Sequence, residues 1–149
     1  MAADPPGYEW ADDAASVDWD ELSELYRIAP LGVKPPDALR TVFGNSMFTS
    51  FVTTGGALVA AGRALADGLD CAYIGDIAVH PDHQGHGLGR DMVRRLVDRA
   101  RGHRKIILYA NPGTEPFYGA LGFLPMNTAM AVWHDPASAV ASGILRPPP

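Results

Sequence analysis

The chain has 149 residues, 47% hydrophobic and 19% charged, which suits one globular domain with its own core and is too short for two comfortable ones. Its net charge of −5 argues against general nucleic-acid binding, and its apolar runs fall far short of the ~20 residues that span a bilayer. The single cysteine, Cys71, excludes an internal disulfide framework.

The start, MAADPPGYEW, is acidic and proline-bearing and lacks the pattern of a secretory leader. The expectation is therefore a cytoplasmic domain over residues 1–149, with flexible tails at about 1–7 and 137–149. "GYEWADD" reads as a first edge strand. From Asp18, a plausible N-cap, Leu22, Leu25, Tyr26 and Ala29 repeat at helical spacing. "APLGVKPP" breaks that helix, and "PDALRTVFG" predicts a second one opened by proline and closed by Gly44. The period then changes. "MFTSFVTT", a Gly-Gly turn and "ALVAAGRAL" predict a hairpin, and "CAYIGDIAV" a further strand apolar enough to be central.

After a glycine-rich loop, Leu88, Met92, Val93, Leu96, Val97 and Ala100 line one helix face, with Arg90, Arg94, Arg95 and Arg99 mostly on the other. "KIILYA" predicts a strand, "TEPFYGAL" a short helix ended by Gly122, "AMAVW" a final strand, and "RPPP" a disordered tail. This order implies an α/β (α+β) domain built on one mixed sheet.

Charge is unevenly spread. Seven of the twelve basic residues lie between Arg90 and Lys105, and eight of the seventeen acids lie in the first thirty positions. Solvated helix faces account for this pattern, and so does an anion site near the glycine loop.

The loop "HPDHQGHGLGR" invites three readings. His80, His83 and His86 are spaced by three, but the loop lacks a period that would converge them, and no second ligand cluster accompanies them. No metal is expected. The glycines fail the G-x-G-x-x-G dinucleotide pattern, since the last position counted from Gly85 is Arg90, and no Gly-Lys-Ser/Thr follows. What remains is an anion site. Gly85, Gly87 and Gly89 let a ligand approach the backbone, and a helix begins there with unpaired amides and a positive dipole end. Arg90 adds charge in the first turn. A plain connecting turn is the alternative.

The segment Gln84-Gly85-His86-Gly87-Leu88-Gly89, following "DIAVHP", resembles the acetyl-coenzyme A pyrophosphate loop, Q/R-x-x-G-x-G/A, of the GNAT superfamily of N-acetyltransferases. "NPGTEPFYGALGF" from Asn111 to Phe123 is similar to the family's N-x-x-x-x-x-F-Y-x-x-L-G-F segment at every spacing. The resemblance covers roughly residues 47 to 133, and the N-terminal helices by position only.

It implies a mostly antiparallel sheet with a splayed central strand pair, and acetyl-coenzyme A as cosubstrate. Ile77, Ala78 and Val79 would line the coenzyme arm, with the Val79 N–H as oxyanion donor. Gln84, Gly85, His86, Gly87, Leu88, Gly89 and Arg90 would hold the pyrophosphate, and Asn111 would contact the arm. It also implies Tyr118 as general acid, because a phenol with a reference pKa of about 10 is protonated at neutral pH; packing beside Phe117 is the alternative.

Several family members carry a glutamate immediately before the position of Asp76, where this chain has Gly75. Three roles are open to Asp76: a base acting directly or through water, an anchor for a cationic amine, or a structural residue. Tyr26, Phe43 and Met47, with Asp76, are candidate acceptor-pocket residues, and Trp19 and Phe48 are also available. Each aromatic could equally be plain core.

The implied acceptor is a primary amine of a small molecule, such as an arylalkylamine, or of a peptide. The implied protein is a monomer or homodimer with no nucleic-acid or membrane partner. A coenzyme A-binding sensor that has lost chemistry is the rival reading.

Overall fold

The computed structural model describes residues 7–149. The expected tail at residues 1–7 lies outside the described residues except for Gly7. The chain divides into two compact units, one ending at Leu108 and one running from Tyr109 to Pro149.

The first unit carries the sheet. β1 (Glu9–Ala11) is followed by helices α1 (Trp19–Ile28) and α2 (Pro36–Gly44), strands β2 (Phe48–Thr54), β3 (Ala57–Ala66) and β4 (Cys71–Val79), helix α3 (Leu88–Ala100) and strand β5 (Lys105–Ile107). The five strands lie in chain order; the first four are antiparallel to their neighbours, and β5 runs parallel to β4. This is the mixed, mostly antiparallel sheet expected.

Local chemistry explains the elements. Asp18 caps α1 by accepting from the amides of Asp20 and Glu21 at 2.9 and 3.2 Å, and Leu22, Leu25 and Tyr26 form its buried face. The two-residue turn between β2 and β3 has positive φ at both Gly55 and Gly56, a conformation that fits tight hairpins and favours glycine. Asp67 holds the next turn by accepting from the amides of Leu69, Asp70 and Cys71.

Both faces of the sheet are covered. Leu22, Leu25, Tyr26, Leu39 and Phe43 from α1 and α2 pack on Phe51, Leu58, Ala61 and Ala78. On the other face α3 lies against β2, β3 and β4. A Cβ at Gly62 would stand 2.7 Å from Ile77 Cδ1 and 3.0 Å from Met92 Cγ, so this glycine allows the close approach of α3.

The arginine face of α3 is only partly solvated. Arg95 Nε donates to Asp12 at 2.9 Å, and its guanidinium lies 5.2 Å from the Trp10 ring centre. Arg99 donates to the Thr49 carbonyl at 2.6 Å and lies over Phe48. These contacts tie α3 to the β1 edge.

The second unit contains α4 (Glu115–Ala120) and α5 (Pro136–Ala141). Three expectations change. The strand expected over "KIILYA" pairs only at Lys105–Ile107. The final strand over "AMAVW" does not form among the described residues; a strand's hydrogen bonds belong to its neighbours, and the sheet order ends at β5. The tail expected from residue 137 instead begins in α5, where Asp135 accepts from the Ser138 amide at 3.1 Å, Pro136 opens the helix and Ala139 is buried. No helix among the described residues is long and apolar enough to cross a membrane.

Candidate active site

The free edge of β4 is the first part of the site. β5 pairs only with Cys71–Tyr73, so β4 has no strand on that side from Ile74 onward among the described residues. The His80 N–H donates to the Val59 carbonyl at 2.8 Å, and Ala60 stands opposite Val79. In an antiparallel ladder, hydrogen-bonded and non-hydrogen-bonded pairs alternate. Val79 is therefore the non-bonded pair, and its N–H and carbonyl point away from β3, out of the open edge. Gln84 Nε2 donates to that carbonyl at 3.4 Å, tying the following loop to the strand end. The side chain of Ile77 faces α3, and Ala78 is in the core beneath α1 and α2.

A bulge precedes this edge. Ala61 faces Ala78 and Arg63 faces Gly75, so β4 carries one more residue than β3 between those pairs. Asp76, with φ of 54°, takes the left-handed conformation and is the one non-glycine residue among those described to do so. Its surroundings hold it there. Tyr26 donates its hydroxyl to the Asp76 carbonyl at 2.6 Å. Arg63 Nε donates to Asp76 Oδ2 at 2.7 Å, and Lys34 Nζ stands 3.4 Å from Oδ1. Arg63 also donates to Ser46 Oγ at 3.3 Å. Burial, first, and the nearby Asp76 charge, second, push the Tyr26 phenol well above its ordinary range.

The second part is the loop from His80 to Gly87. A 3₁₀ turn (Pro81–His83) leads into glycines with φ of 83° at Gly85 and 80° at Gly87. Gly87 caps α3 without a side-chain hydrogen bond, which leaves the first-turn amides presented outward with the positive dipole end. Arg90 folds back over this cap: a Cβ on Gly87 would stand 2.6 Å from its Nη2. A backbone cradle that a side chain would fill, beside a guanidinium, fits a pyrophosphate. Leu88 is buried beneath the cradle.

The three histidines contact one another in series, edge-on and tilted. His80–His83 and His83–His86 ring centres are 5.7 and 6.4 Å apart, Tyr8 packs edge-on against His83 and His86, and its hydroxyl lies 3.1 Å from His83 Nδ1. Among the described residues, no group of three or more His, Cys, Asp or Glu is arranged to hold a metal ion.

In the second unit, the Asn111 carbonyl accepts from the Thr114 amide and hydroxyl at 3.0 and 2.7 Å, setting the turn before α4. Tyr118 packs edge-on against Phe117 and Phe123, with ring centres at 5.0 and 5.9 Å. Burial raises its phenol above the usual value, so it is protonated at neutral pH.

Of the candidate pocket residues, Phe43 is buried against Phe51, Trp19 and Tyr26. Tyr26 is fully buried but reaches Asp76, and Met47 is half-exposed. Sequence reasoning passed over Lys34 and Arg63. A lone arginine in the apolar run "ALVAAGRAL" was a usable signal, because buried charges require partners; Lys34, between breakers, gave none.

The family model described as Acetyltransferase (GNAT) family matches residues 8–123. The chain belongs to the GNAT acetyltransferase family. It is 32% identical over 123 residues to the chloroplastic serotonin N-acetyltransferase 2 of Oryza sativa subsp. japonica, a match covering 78% of this chain and 62% of that relative. The chain thus spans less than two thirds of that relative's length. A GNAT-family acetyltransferase from Streptococcus pneumoniae shares the fold with a TM-score of 0.75 at 18% identity, covering 87% of this chain and 98% of its own. The structure of a predicted acetyltransferase with acetyl-CoA from Clostridium acetobutylicum gives a TM-score of 0.63 at 18% identity over 85% of this chain and 96% of its own.

Proposed function

We propose that this GNAT protein transfers the acetyl group of acetyl-CoA to a primary amine, the acceptor being a small molecule or a peptide. The observation that carries this reading is the outward Val79 N–H on an unpaired strand edge, followed after one loop by a helix N-terminus whose cap, Gly87, has no side chain. Residues Gln84 to Arg90 take the pyrophosphate, and the open edge from Ile77 to Val79 takes the thioester arm. The Val79 N–H donates to the carbonyl oxygen as it gains charge in the tetrahedral intermediate, where a fixed donor contributes most.

The amine nitrogen attacks the carbonyl carbon, the C–S bond breaks, and the thiolate takes up a proton. Tyr118 is the proposed donor, supported by its register in the matched segment and its protonated phenol. Asn111 is the proposed contact to the coenzyme arm on the same register. Of the three roles open to Asp76, its ion pairs with Arg63 and Lys34 favour the structural one; the amine proton leaves to water, and water returns a proton to the Tyr118 phenolate.

Because Gly75 supplies no carboxylate and both oxygens of Asp76 face cations, a coenzyme-binding sensor is the second reading. Thiol release from acetyl-CoA across arylalkylamines, polyamines, amino acids and peptides separates the two. Acceptor-dependent release supports transfer, and tight coenzyme binding with no release for any amine supports the sensor.

A further inference from the structure

Arg63 and Lys34 share a single carboxylate, that of Asp76, which leaves the cluster with one uncompensated positive charge. Their side chains are only 16% and 30% exposed, and unbalanced charge in a partly buried setting is costly. Of the five guanidinium N–H donors of an arginine, Arg63 spends one on Asp76 and one on Ser46. The rest have no protein acceptor among the described residues. Lys34 has Asp76 Oδ1 at 3.4 Å and the Tyr26 ring at 5.6 Å. Ser50 Oγ is the one fully buried side-chain polar atom without a partner among the described residues, so the unpartnered Nη2 of Arg63 is reached by solvent.

The cluster is placed for the reaction. Asp76 precedes Val79 by three residues on β4, at most roughly 10 Å along the strand given the bulge. A hydrogen bond to the carbonyl oxygen, a near-attack distance from amine to carbonyl carbon, and an ion pair to an anionic group close to that amine together span roughly the same length. The opening between α1 and the β2–β3 turn is lined by three acids; Asp82 is exposed, with His80 Nδ1 at 4.0 Å, and the other two already have partners. Glu24 pairs with Arg27, and Glu21 accepts from the Leu58 amide.

We propose that Lys34 and Arg63 receive an anionic group carried by the acceptor, so that the preferred substrate is an amine bearing a nearby carboxylate or phosphate. This rests on the acetyl-transfer reading and narrows its substrate class. Lys34 sets specificity directly, and Arg63 does so while also holding Asp76 in the bulge.

The test uses matched acceptors: tryptamine with tryptophan, phenethylamine with phenylalanine, and glucosamine with glucosamine 6-phosphate. Amide product is followed by mass and thiol release in the wild type, Lys34→Met and Lys34→Arg, each checked for an intact melting transition. In the wild type, kcat/KM should favour the anionic member of at least one pair by about 10- to 100-fold. Lys34→Met should reduce that ratio to near unity through KM, and Lys34→Arg should retain most of it. A carboxylate as ligand shows in the first two pairs and a phosphate in the third. The proposal is overturned if the uncharged members are used as well as the anionic ones, or if Lys34→Met keeps the preference. Should the amines alone be acetylated, acetyl transfer stands and only this inference fails; no amide from any acceptor removes both.

Discussion

Gly87→Val is the sharpest probe of the coenzyme cradle. At φ of 80° an L-residue costs about 1–2 kcal/mol, a loss that most folded domains survive. The new side chain also occupies the space over the cap, since its Cβ would fall 2.6 Å from Arg90 Nη2. Arg90 must swing away, and a phosphate can no longer reach the first-turn amides. Losing one hydrogen bond to a charged group costs about 1.5–3 kcal/mol, which corresponds to about 10- to 150-fold in affinity at 1.4 kcal/mol per decade. Calorimetric titration should show this loss for acetyl-CoA but not for S-acetylpantetheine, which lacks the pyrophosphate. Unchanged acetyl-CoA affinity in folded Gly87→Val protein would refute the placement.

Other outcomes follow from single contacts. Arg90→Glu should weaken acetyl-CoA binding, whereas Arg95→Glu, which breaks the contact with Asp12 and Trp10, should lower the melting temperature and leave that affinity alone; equal effects on binding would indicate a diffuse field. Tyr118→Phe should lower turnover by roughly 10²- to 10⁴-fold with coenzyme binding intact, and full activity across the pH profile would make the residue a packing element. Tyr26 is pushed upward by burial, so its stabilising effect is complete below the unfolded phenol value of about 10 and is lost as pH rises beyond it, when only the unfolded chain ionises. Tyr26→Phe should flatten this alkaline loss of stability, at a cost of about 1 kcal/mol near neutrality for the hydrogen bond to Asp76; an unaltered alkaline profile would assign the loss elsewhere.

The sequence carries information wherever the determinant is local. Asp18 before an apolar period, the glycine pair between two apolar runs, and Gly85 and Gly87 before α3 each dictate their own backbone, and each element stands where its pattern puts it. The bulge at Asp76 was invisible in "CAYIGDIAV", because an extra residue in one strand exists only relative to the register of the other. The Lys34–Asp76–Arg63 cluster joins a loop and two strands and has no sequence period at all. "AMAVW" has strand-like residues but pairs with no strand among the described residues, while Asp135 and Pro136 signal α5 locally, ahead of the proline-rich end.

On the proposed function, β4 presents a thioester to an amine. Its most direct test is a single-turnover reaction of the protein with acetyl-CoA labelled in the acetyl carbon, mixed with the matched acceptor pairs and resolved by mass spectrometry. Labelled amide should form on an acceptor, with one coenzyme thiol released per amide. Coenzyme that binds tightly and returns unchanged, or thiol released with no labelled amide, would contradict it.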